Sequence, residues 1–513
     1  LAHSKETSLS GALAMVAARL LLLSSLASVA VGFSSSPLPS LRHASPRSFL
    51  SSSVASPRMT AAPPPPGRKS FFNGIKETVQ YIVDGDNFIR KRVAEFGPVF
   101  SAKIFFLPTV IVGGANNVEE FLGKEGAVME SSLPPALQKL FTDNNLLLQS
   151  GERHDLTKKG LTGMLDVDAQ KAYIPVIEER AEEHLNQIAE RGETALGRDF
   201  TTWSLQLFAE LFAGCKLTEE EVDLFVTYNA GLFALTDWEP SFVKAEKARE
   251  TLERRFEARF KAMKEDGSVD DPKNFCYKKI ASAKNTDGST FSDYKVGFAI
   301  TSMIWGAYIE TAALMSSTII ATLDRPEVVD RVRQESASLL SDQVNLRGSF
   351  QEWNVPYTQG VLRECLRTLP PAGGGFRKSD APISVGGYLI PEGTVITADP
   401  RPGNLDPEMF PEPDTFAPER WASEADLGAS KCPMSKLVSG ARSLPAGAWF
   451  PGGTGVHKCP GVPLAELIAR VMLVKWADKF GEWSETSKRV YIPSPIKIPK
   501  DSYTMKVVPR NKA

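Results

Sequence analysis

The sequence has little of several features that define common protein classes. Its 513 residues include only five cysteines, an odd number, so a framework of paired disulfides is not expected. The formal net charge is only −2, so no excess of basic residues points to nucleic acid. No unit of about 20–50 residues repeats, which excludes a solenoid. These absences leave a large globular domain in which a single cysteine can have a special role.

Acidic residues are missing from a long N-terminal stretch, with none between Glu6 and Glu77. Residues 15–33 combine an arginine, a short apolar run and small residues, as a signal peptide does, and the run is too short for a membrane span. Residues 34–69 are rich in serine, proline and arginine, which is typical of a transit peptide with a proline hinge. We expect residues 1–14 to be an upstream or unstructured extension. We expect residues 15–69 to direct the protein to a plastid of the complex type. The endoplasmic reticulum is the alternative.

The rest of the chain, residues 70–513, predicts one large domain that is mainly α with small β-sheets. Apolar runs at 102–106 and 109–112 predict a hairpin. Glycine and proline then separate a series of segments with helical periodicity. These segments are 118–124, 137–142, 170–191, 200–213, 219–235, 240–266 and 294–321. Residues 370–421 are rich in proline and glycine and contain short apolar pieces, which predict further hairpins.

The stretch 449–461, Trp-Phe-Pro-Gly-Gly-Thr-Gly-Val-His-Lys-Cys-Pro-Gly, carries the strongest chemical signal. Its glycines let the backbone pass close to a flat cofactor. Cys459 directly precedes an apolar run at 462–480, and the start of a helix favours a thiolate. A haem iron with a cysteine axial ligand fits this pattern. A structural cysteine in a glycine-rich turn is the ordinary alternative.

Glu364 and Arg367 stand three residues apart on a predicted helix, and Arg420 lies in the later stretch 418–421. A buried glutamate that bridges two arginines can hold the coil leading to the cysteine loop. A solvated surface pair is the alternative.

Glu310 and Thr311 place an acid and a hydroxyl in the apolar segment 304–317. Burial of such groups needs hydrogen bonds or a function, and together they could relay protons. The alternative is a threonine bonded to the carbonyl one turn earlier, beside a glutamate that reaches solvent.

His154, Lys158 and His457 are candidate donors to the two propionates of a haem. His154 and Lys158 are four residues apart, so they share a helix face. The alternative is a set of ordinary surface residues.

In this order and spacing, these motifs resemble the cytochrome P450 family. The resemblance implies a single haem domain with haem b, in which Cys459 is the axial ligand of the iron. It also implies a structural triad of Glu364, Arg367 and Arg420. The remaining residues that it implicates surround the cofactor or take part in catalysis; they are His457, His154, Lys158, Gly453, Gly455, Gly461, Phe450, Glu310, Thr311 and Tyr308. Residues 369–377 are similar to the branch with retinoid hydroxylases and their cyanobacterial relatives.

Two positions depart from the family pattern. Gly452 stands where a phenylalanine is usual, so Phe450 or Trp449 is expected to fill the space over the sulfur. Tyr308 stands where a glycine is usual in the oxygen-binding part of the helix. It either crowds the side of the haem where oxygen binds or is rotated away from it, and the sequence does not choose.

The resemblance implies a monooxygenase that hydroxylates or epoxidises an apolar substrate, such as a lipid, terpenoid or carotenoid derivative. Because no flavin or iron–sulfur domain is encoded, electrons would come from a separate ferredoxin or flavoprotein reductase. The face of this chain on which the electron donor is expected to dock includes Lys431, Lys436, Arg442 and Lys458. The Cys-Pro-Gly sequence at 459–461 also resembles peroxide-using members, so a hydroperoxide lyase, isomerase or epoxyalcohol synthase is an alternative. A non-catalytic haem or lipid-binding protein is a third. We expect a monomer, with peripheral membrane contact left open.

Overall fold

The computed structural model describes residues 62–67, 71–105, 107–126, 128–234, 236–341, 355–421, 444–492 and 496–510. The signal-peptide segment and most of the transit-peptide segment therefore lie outside the described residues. The same holds for Cys432 and for three members of the expected docking face, Lys431, Lys436 and Arg442.

The N-terminal part of the described chain mixes helices with short strands. Its elements are α1 (Phe71–Phe96), β1 (Val99–Ile104), β2 (Leu107–Val112), α2 (Ala115–Leu122), β3 (Met129–Ser131), α3 (Pro135–Phe141) and α4 (Gly151–Thr162). The helix α1 is interrupted at Asp84, whose backbone is not helical.

The middle of the chain is almost entirely helical. Its elements are α5 (Val167–Arg191), β4 (Glu193–Thr194), α6 (Leu196–Ala213), α7 (Glu219–Ala230), α8 (Pro240–Asp266), α9 (Phe275–Ala281), α10 (Asp293–Thr322), α11 (Pro326–Ser341) and α12 (Pro356–Thr368). Side chains define several helix starts. The side chain of Ser292 accepts a hydrogen bond from the amide of Lys295 at the start of α10, and Thr218 forms a capping box with Glu221 at α7.

Short strands follow, and one long helix lies near the C-terminus. These elements are β5 (Phe376–Ser379), β6 (Ile383–Val385), β7 (Tyr388–Ile390), β8 (Val395–Ala398), α13 (Pro400–Asn404), α14 (Val462–Lys479), β9 (Phe480–Glu485) and β10 (Met505–Pro509). A short 3-10 helix covers Pro418–Trp421. The prediction of a mainly α fold with small β-sheets is confirmed.

The strands of the described residues form three small sheets. The largest has the order β1-β2-β8-β5-β3. In it, β1 and β2 form the predicted antiparallel hairpin, with Val99 opposite Val112, and β2 runs parallel to β8. The second sheet has the order β4-β10-β9, and the third is the pair β6-β7. The proline segment lies along the first sheet, since the carbonyl of Pro66 accepts from the amide of Ser101 at 2.7 Å.

The helix α10 runs through the main hydrophobic core. Most of its residues are buried, as expected for a helix that is apolar on nearly every side. By length and composition it could cross a membrane, but most of it lies inside the protein, where a core helix has the same composition. It packs against α6, α8 and α14.

The cysteine loop lies where two hydrophobic clusters meet. Trp449 packs against the large helical core. The next residue, Phe450, belongs to a second cluster built on the five-stranded sheet, with Val99, Val118 and Phe121 among its members. The chain therefore enters the loop at the junction of the helical and sheet parts of the molecule.

Candidate active site

Cys459 sits in a tight loop that leads directly into α14. Its amide donates to the carbonyl of Gly452 at 2.8 Å, and the amide of Gly461 points at its sulfur at 3.4 Å. Gly452, Gly453 and Gly455 all have positive φ angles, of 74°, 80° and 74°. A side chain at Gly452 would also place its Cβ 2.3 Å from a methyl group of Val462. The loop conformation therefore requires glycine there.

The sulfur of Cys459 faces a recess that is surrounded by protein. The residue is accessible from this recess, yet burial raises the pKa of its thiol. The amides of Gly461 and Val462 oppose this rise, while the charge of Glu310 adds to it. The start of α14 therefore favours the thiolate, but burial has the larger effect on the pKa of the thiol. A bound metal cation would supply the missing stabilisation, since a coordinating thiol loses its proton.

One face of α10 lines the other side of the recess. Its accessible residues recur with helical spacing and are Ser302, Met303, Gly306, Ala307 and Glu310. Gly306 is exposed, and a Cβ on it would meet nothing within 4 Å. Because the charge of Glu310 affects the Cys459 thiol, the acid and the sulfur face the same recess. No sequence motif singles out Gly306, although it lies one turn before Glu310.

Glu310 is a carboxyl group with an unusual environment. Its Oε2 atom is buried and has no hydrogen-bond partner among the residues that the structure describes, and burial raises its pKa from an ordinary value of 4.5 to about 7. Near neutral pH the group can therefore hold and release a proton.

The Thr311 hydroxyl donates to the carbonyl of Ala307 at 2.7 Å. This is the local bond that the ordinary alternative anticipated. A hydroxyl has only one proton but two lone pairs, so the oxygen of Thr311 can still accept a hydrogen bond.

Tyr308 does not reach the recess, although it is one of the predicted catalytic residues. Only 1% of it is exposed, and its ring lies edge-on to Phe225 of α7 with 6.3 Å between centroids. The hydroxyl of Ser204 in α6 donates to its carbonyl at 2.7 Å. Two residues correspond to about 200° around a helix, so Tyr308 and Glu310 point in nearly opposite directions. The sequence left open whether Tyr308 crowds the oxygen-binding side of the haem or is rotated away from it. In the structure Tyr308 is rotated away from the recess.

The predicted basic residues His154, Lys158 and His457 do come together at the cysteine loop. The imidazole rings of His154 and His457 lie 4.3 Å apart between centroids, and Lys158 donates to the carbonyl of Val456. His154 is buried, and burial lowers its pKa.

His457 is already engaged by protein groups. Its Nδ1 atom lies 2.7 Å from Glu125 Oε1 and its Nε2 atom lies 2.9 Å from the carbonyl oxygen of Gln149. Arg377 of β5 also bonds to Glu125. No local sequence pattern connects Glu125 and Gln149 to the loop. The role of Arg377, the last residue of the stretch 369–377, likewise depends on the tertiary structure.

The two aromatic residues before the loop pack against other parts of the molecule. Phe450 is 7% exposed and packs in the sheet cluster. Trp449 packs against Trp421, with 4.5 Å between ring centroids and the rings tilted by 44°. That Phe450 lies over the sulfur stays a prediction.

The predicted triad forms a buried network. Glu364 and Arg367 make a two-bond ion pair, with N–O distances of 2.9 and 2.6 Å, and Arg420 donates to the same carboxylate at 3.2 Å. All three residues are at most 2% exposed. The indole of Trp421 also donates to Glu364, at 2.8 Å, and is the fourth residue of the network. Arg367 also donates to three backbone carbonyls, those of Asn404, Pro413 and Thr415.

Comparison with known proteins decides the family. A sequence model described as Cytochrome P450 matches residues 63–488, which is most of the chain. The chain belongs to the cytochrome P450 family. Membership implies a haem cofactor and makes this P450 an oxidoreductase of the monooxygenase type, with a separate redox partner and apolar substrates.

Several named relatives are similar over nearly their whole length. A P450 of family 120 from Synechocystis is 25% identical over 88% of this chain and 99% of its own. Taxoid 14-beta-hydroxylase of Taxus cuspidata is 24% identical over 83% of each chain. A solved structure described as retinoic acid bound cyanobacterial CYP120A1 has a TM-score of 0.76 at 24% identity, covering 88% of this chain and all of that one. That structure shows the fold.

The residues of this P450 fit a haem. The thiol of Cys459 opens on the recess, and the glycines of its loop leave the backbone close to the site. Gly306 leaves room on the opposite side, while Lys158 and Arg377 supply positive charge near the loop. Cys459 would hold the iron, and these two side chains would bind the propionates. Glu310 would stand across from the sulfur.

Proposed function

We propose that this P450 is a haem b monooxygenase that hydroxylates or epoxidises an apolar substrate with O2 and external electrons. The observation that carries the proposal is the carboxyl group of Glu310. It stands across the recess from Cys459, and its buried Oε2 atom has no hydrogen-bond partner in the described part of the chain. An enzyme that must deliver protons during oxygen activation has a use for such an acid.

Haem, when bound, supplies the redox chemistry that activates O2, and a thiolate ligand favours cleavage of the O–O bond. The chain supplies the rest. Cys459 provides the ligand, and Glu310 holds a proton at the recess near neutral pH because burial raises its pKa to about 7. Thr311 keeps acceptor capacity beside it, and Gly306 keeps the approach open.

The substrate is proposed to be a retinoid, a terpenoid or a carotenoid derivative. The names of the Taxus relative and of the cyanobacterial structure point to the same substrate classes.

We further propose that a ferredoxin or flavoprotein reductase docks around the cysteine loop, where Lys458 is exposed. A plastid is the proposed compartment, because of the transit-peptide composition of residues 34–69. A fusion of residues 15–69 to a fluorescent protein, expressed in an alga with complex plastids, tests this address. Fluorescence that stays in the endoplasmic reticulum would contradict it.

The function is tested with the purified, haem-loaded protein. Binding spectra of the ferric form are recorded with retinoids, carotenoids, terpenoids, fatty acids and fatty-acid hydroperoxides, and each binder is then incubated with and without a ferredoxin–reductase system. We expect oxygenated product only when the electron donor and O2 are both present. Rapid conversion of a hydroperoxide without any donor would instead support a rearranging enzyme.

Ligation is tested on the same preparation by the carbon-monoxide difference spectrum of the reduced protein. Cys459→Ala should abolish the band of thiolate-ligated haem. The matched control Cys215→Ala should retain it, because Cys215 lies near Arg259 and Glu221, away from the recess. A wild-type protein without this band would overturn haem–thiolate ligation itself.

A further inference from the structure

The proline segment, residues 63–67, lies against the edge of the five-stranded sheet. Strand β1 stands at one end of that sheet. On its outer side, the amide of Ser101 donates to the carbonyl of Pro66 at 2.7 Å, and the hydroxyl of Ser101 donates to the carbonyl of Pro65 at 3.2 Å. Gly67 also pairs with Ser101 as an isolated parallel bridge. The segment therefore covers the edge of β1.

The same segment also reaches the hairpin of β6 and β7. The amide of Leu389 in β7 donates to the carbonyl of Pro63 at 2.9 Å, and Pro65 is buried. A Cβ on Gly67 would lie 2.2 Å from the carbonyl oxygen of Ser101, so the close approach at this end requires glycine. Residues 63–67 thus join the hairpin to the edge of the sheet.

The residue types of the segment suit this position. A proline carbonyl accepts hydrogen bonds, but proline has no N–H group to donate. The segment therefore satisfies donors of β1 and β7 without offering a new edge at its prolines, so it ends the sheet. Proteins that bind an extended segment pair with its backbone N–H and C=O groups. A peptidase would find neither available here, because the prolines lack the N–H groups and the fold already binds the carbonyls of Pro63, Pro65 and Pro66.

Composition by itself groups this segment with the N-terminal leader, meaning the signal-peptide and transit-peptide segments. Acidic residues are missing from Glu6 to Glu77, and this absence runs through residues 63–67 without a break. The hydrogen bonds group the segment with the P450 domain instead. The match of the Cytochrome P450 model also begins at residue 63, the residue whose carbonyl is bonded to β7.

From these contacts we propose that the leader is removed upstream of Pro63, so that residues 63–67 stay on the mature protein. The step is hydrolysis of one peptide bond by a leader peptidase. Water adds across this bond and leaves a carboxylate on the leader and a new amino group on the P450. The proposal goes beyond the proposed function, and it holds whether the peptidase belongs to a plastid or to the endoplasmic reticulum.

The first test identifies the N-terminus of the mature protein. The chain from Met15 to Ala513 is expressed with a C-terminal tag in an alga with complex plastids, and the N-terminal peptide of the purified protein is identified by mass spectrometry. We expect the mature chain to start after residue 33 and no later than Pro63. A start at Pro64 or beyond would overturn the proposal, and so would a chain that keeps residues 15–33. The fluorescent fusion reports the compartment separately, so a wrong plastid address is distinguishable from a wrong boundary.

The second test compares two substitutions within the segment of the same protein. Gly67→Ala should displace the segment, because its Cβ would meet the carbonyl oxygen of Ser101. Pro64→Ala is the matched control, because Pro64 is exposed. Hydrogen exchange, followed by mass spectrometry, measures the protection of peptides that contain the amides of Ser101 and Leu389.

We expect both amides to exchange at least about tenfold faster in Gly67→Ala than in wild type, because release of the segment opens them to solvent. Pro64→Ala should exchange like wild type. Exchange at wild-type rates in Gly67→Ala would show that the segment does not protect the sheet edge or the hairpin, and would overturn its place in the mature domain.

Discussion

At the scale of single residues, burial is the main influence on the chemistry of the site. It raises the pKa of the Cys459 thiol, raises that of Glu310 to about 7 and lowers that of His154. In each case burial disfavours the charged form. The protein without haem therefore carries less charge at the recess than its sequence suggests. The cofactor must stabilise the negative charge of the Cys459 thiolate.

The raised pKa of Glu310 predicts a pH dependence of stability. As pH rises above about 4.5, the unfolded state loses this proton first, so the free energy of unfolding falls until the folded group also ionises near pH 7. One pKa unit corresponds to about 1.4 kcal/mol, so the full decline is about 3 kcal/mol.

Urea unfolding between about pH 4 and 8 measures this decline. Glu310→Gln should lack it and be more stable than wild type above pH 7, because its amide stays neutral. The control Glu130→Gln, at an exposed position of β3, should keep the wild-type pH dependence. An equal decline in Glu310→Gln and wild type would contradict the burial of this carboxyl.

At the scale of elements, the rotation of α10 determines which residues meet the cofactor. Tyr308 is directed toward α7 and its carbonyl is bonded by Ser204 of α6. This orientation turns Gly306, Ala307 and Glu310 to the recess. Tyr308 stands where the family usually has a small residue, and the packing of α10 against α6 and α7 accommodates its ring.

A matched pair of substitutions tests this rotation. Gly306→Leu should weaken binding of apolar substrates by at least about tenfold, because its side chain would fill the space that Gly306 leaves open at the recess, and crowding a binding site costs about 1–3 kcal/mol. Tyr308→Phe keeps the ring against Phe225 and should bind substrate like wild type. Both affinities come from binding spectra of the ferric protein. A loss with Tyr308→Phe and none with Gly306→Leu would place Tyr308 at the recess after all.

At the scale of the whole molecule, two hydrophobic cores meet at the cysteine loop, and ionic networks connect the segments around it. The network of Glu364, Arg367 and Arg420 holds the coil at 411–421 against α12 in the helical core. The contacts of Glu125 with His457 and Arg377 link the loop to the sheet.

Breaking the triad should therefore affect the whole protein. Arg367→Leu leaves Glu364 buried with its main partner removed, which typically costs about 3–5 kcal/mol. Lys171→Leu is the control, because its pair with Asp168 is exposed, with an N–O distance of 3.9 Å, and should change stability by less than about 1 kcal/mol. Urea unfolding and haem content measure both. Equal losses in the two variants would argue against a structural triad.

The sequence alone determined the parts of this protein that depend on near neighbours. The glycine-rich turn around Cys459, the pair Glu364 and Arg367, the acid and alcohol at 310–311 and the long apolar helix all follow from short-range spacing. That is why the mainly α fold and the family could be predicted. Helix periodicity also placed His154 and Lys158 on one face, and the structure brings both to the loop.

Only the tertiary structure decided where side chains point when distant segments meet. Glu125 and His457 are 332 residues apart, so no local pattern predicts their contact. Phe450 joins the sheet core because that core offers it apolar neighbours, and Tyr308 turns from the recess because α6 and α7 pack against it. The physical reason is the same in each case: local spacing sets which residues share a face, but the free energy of packing against other elements sets what that face meets.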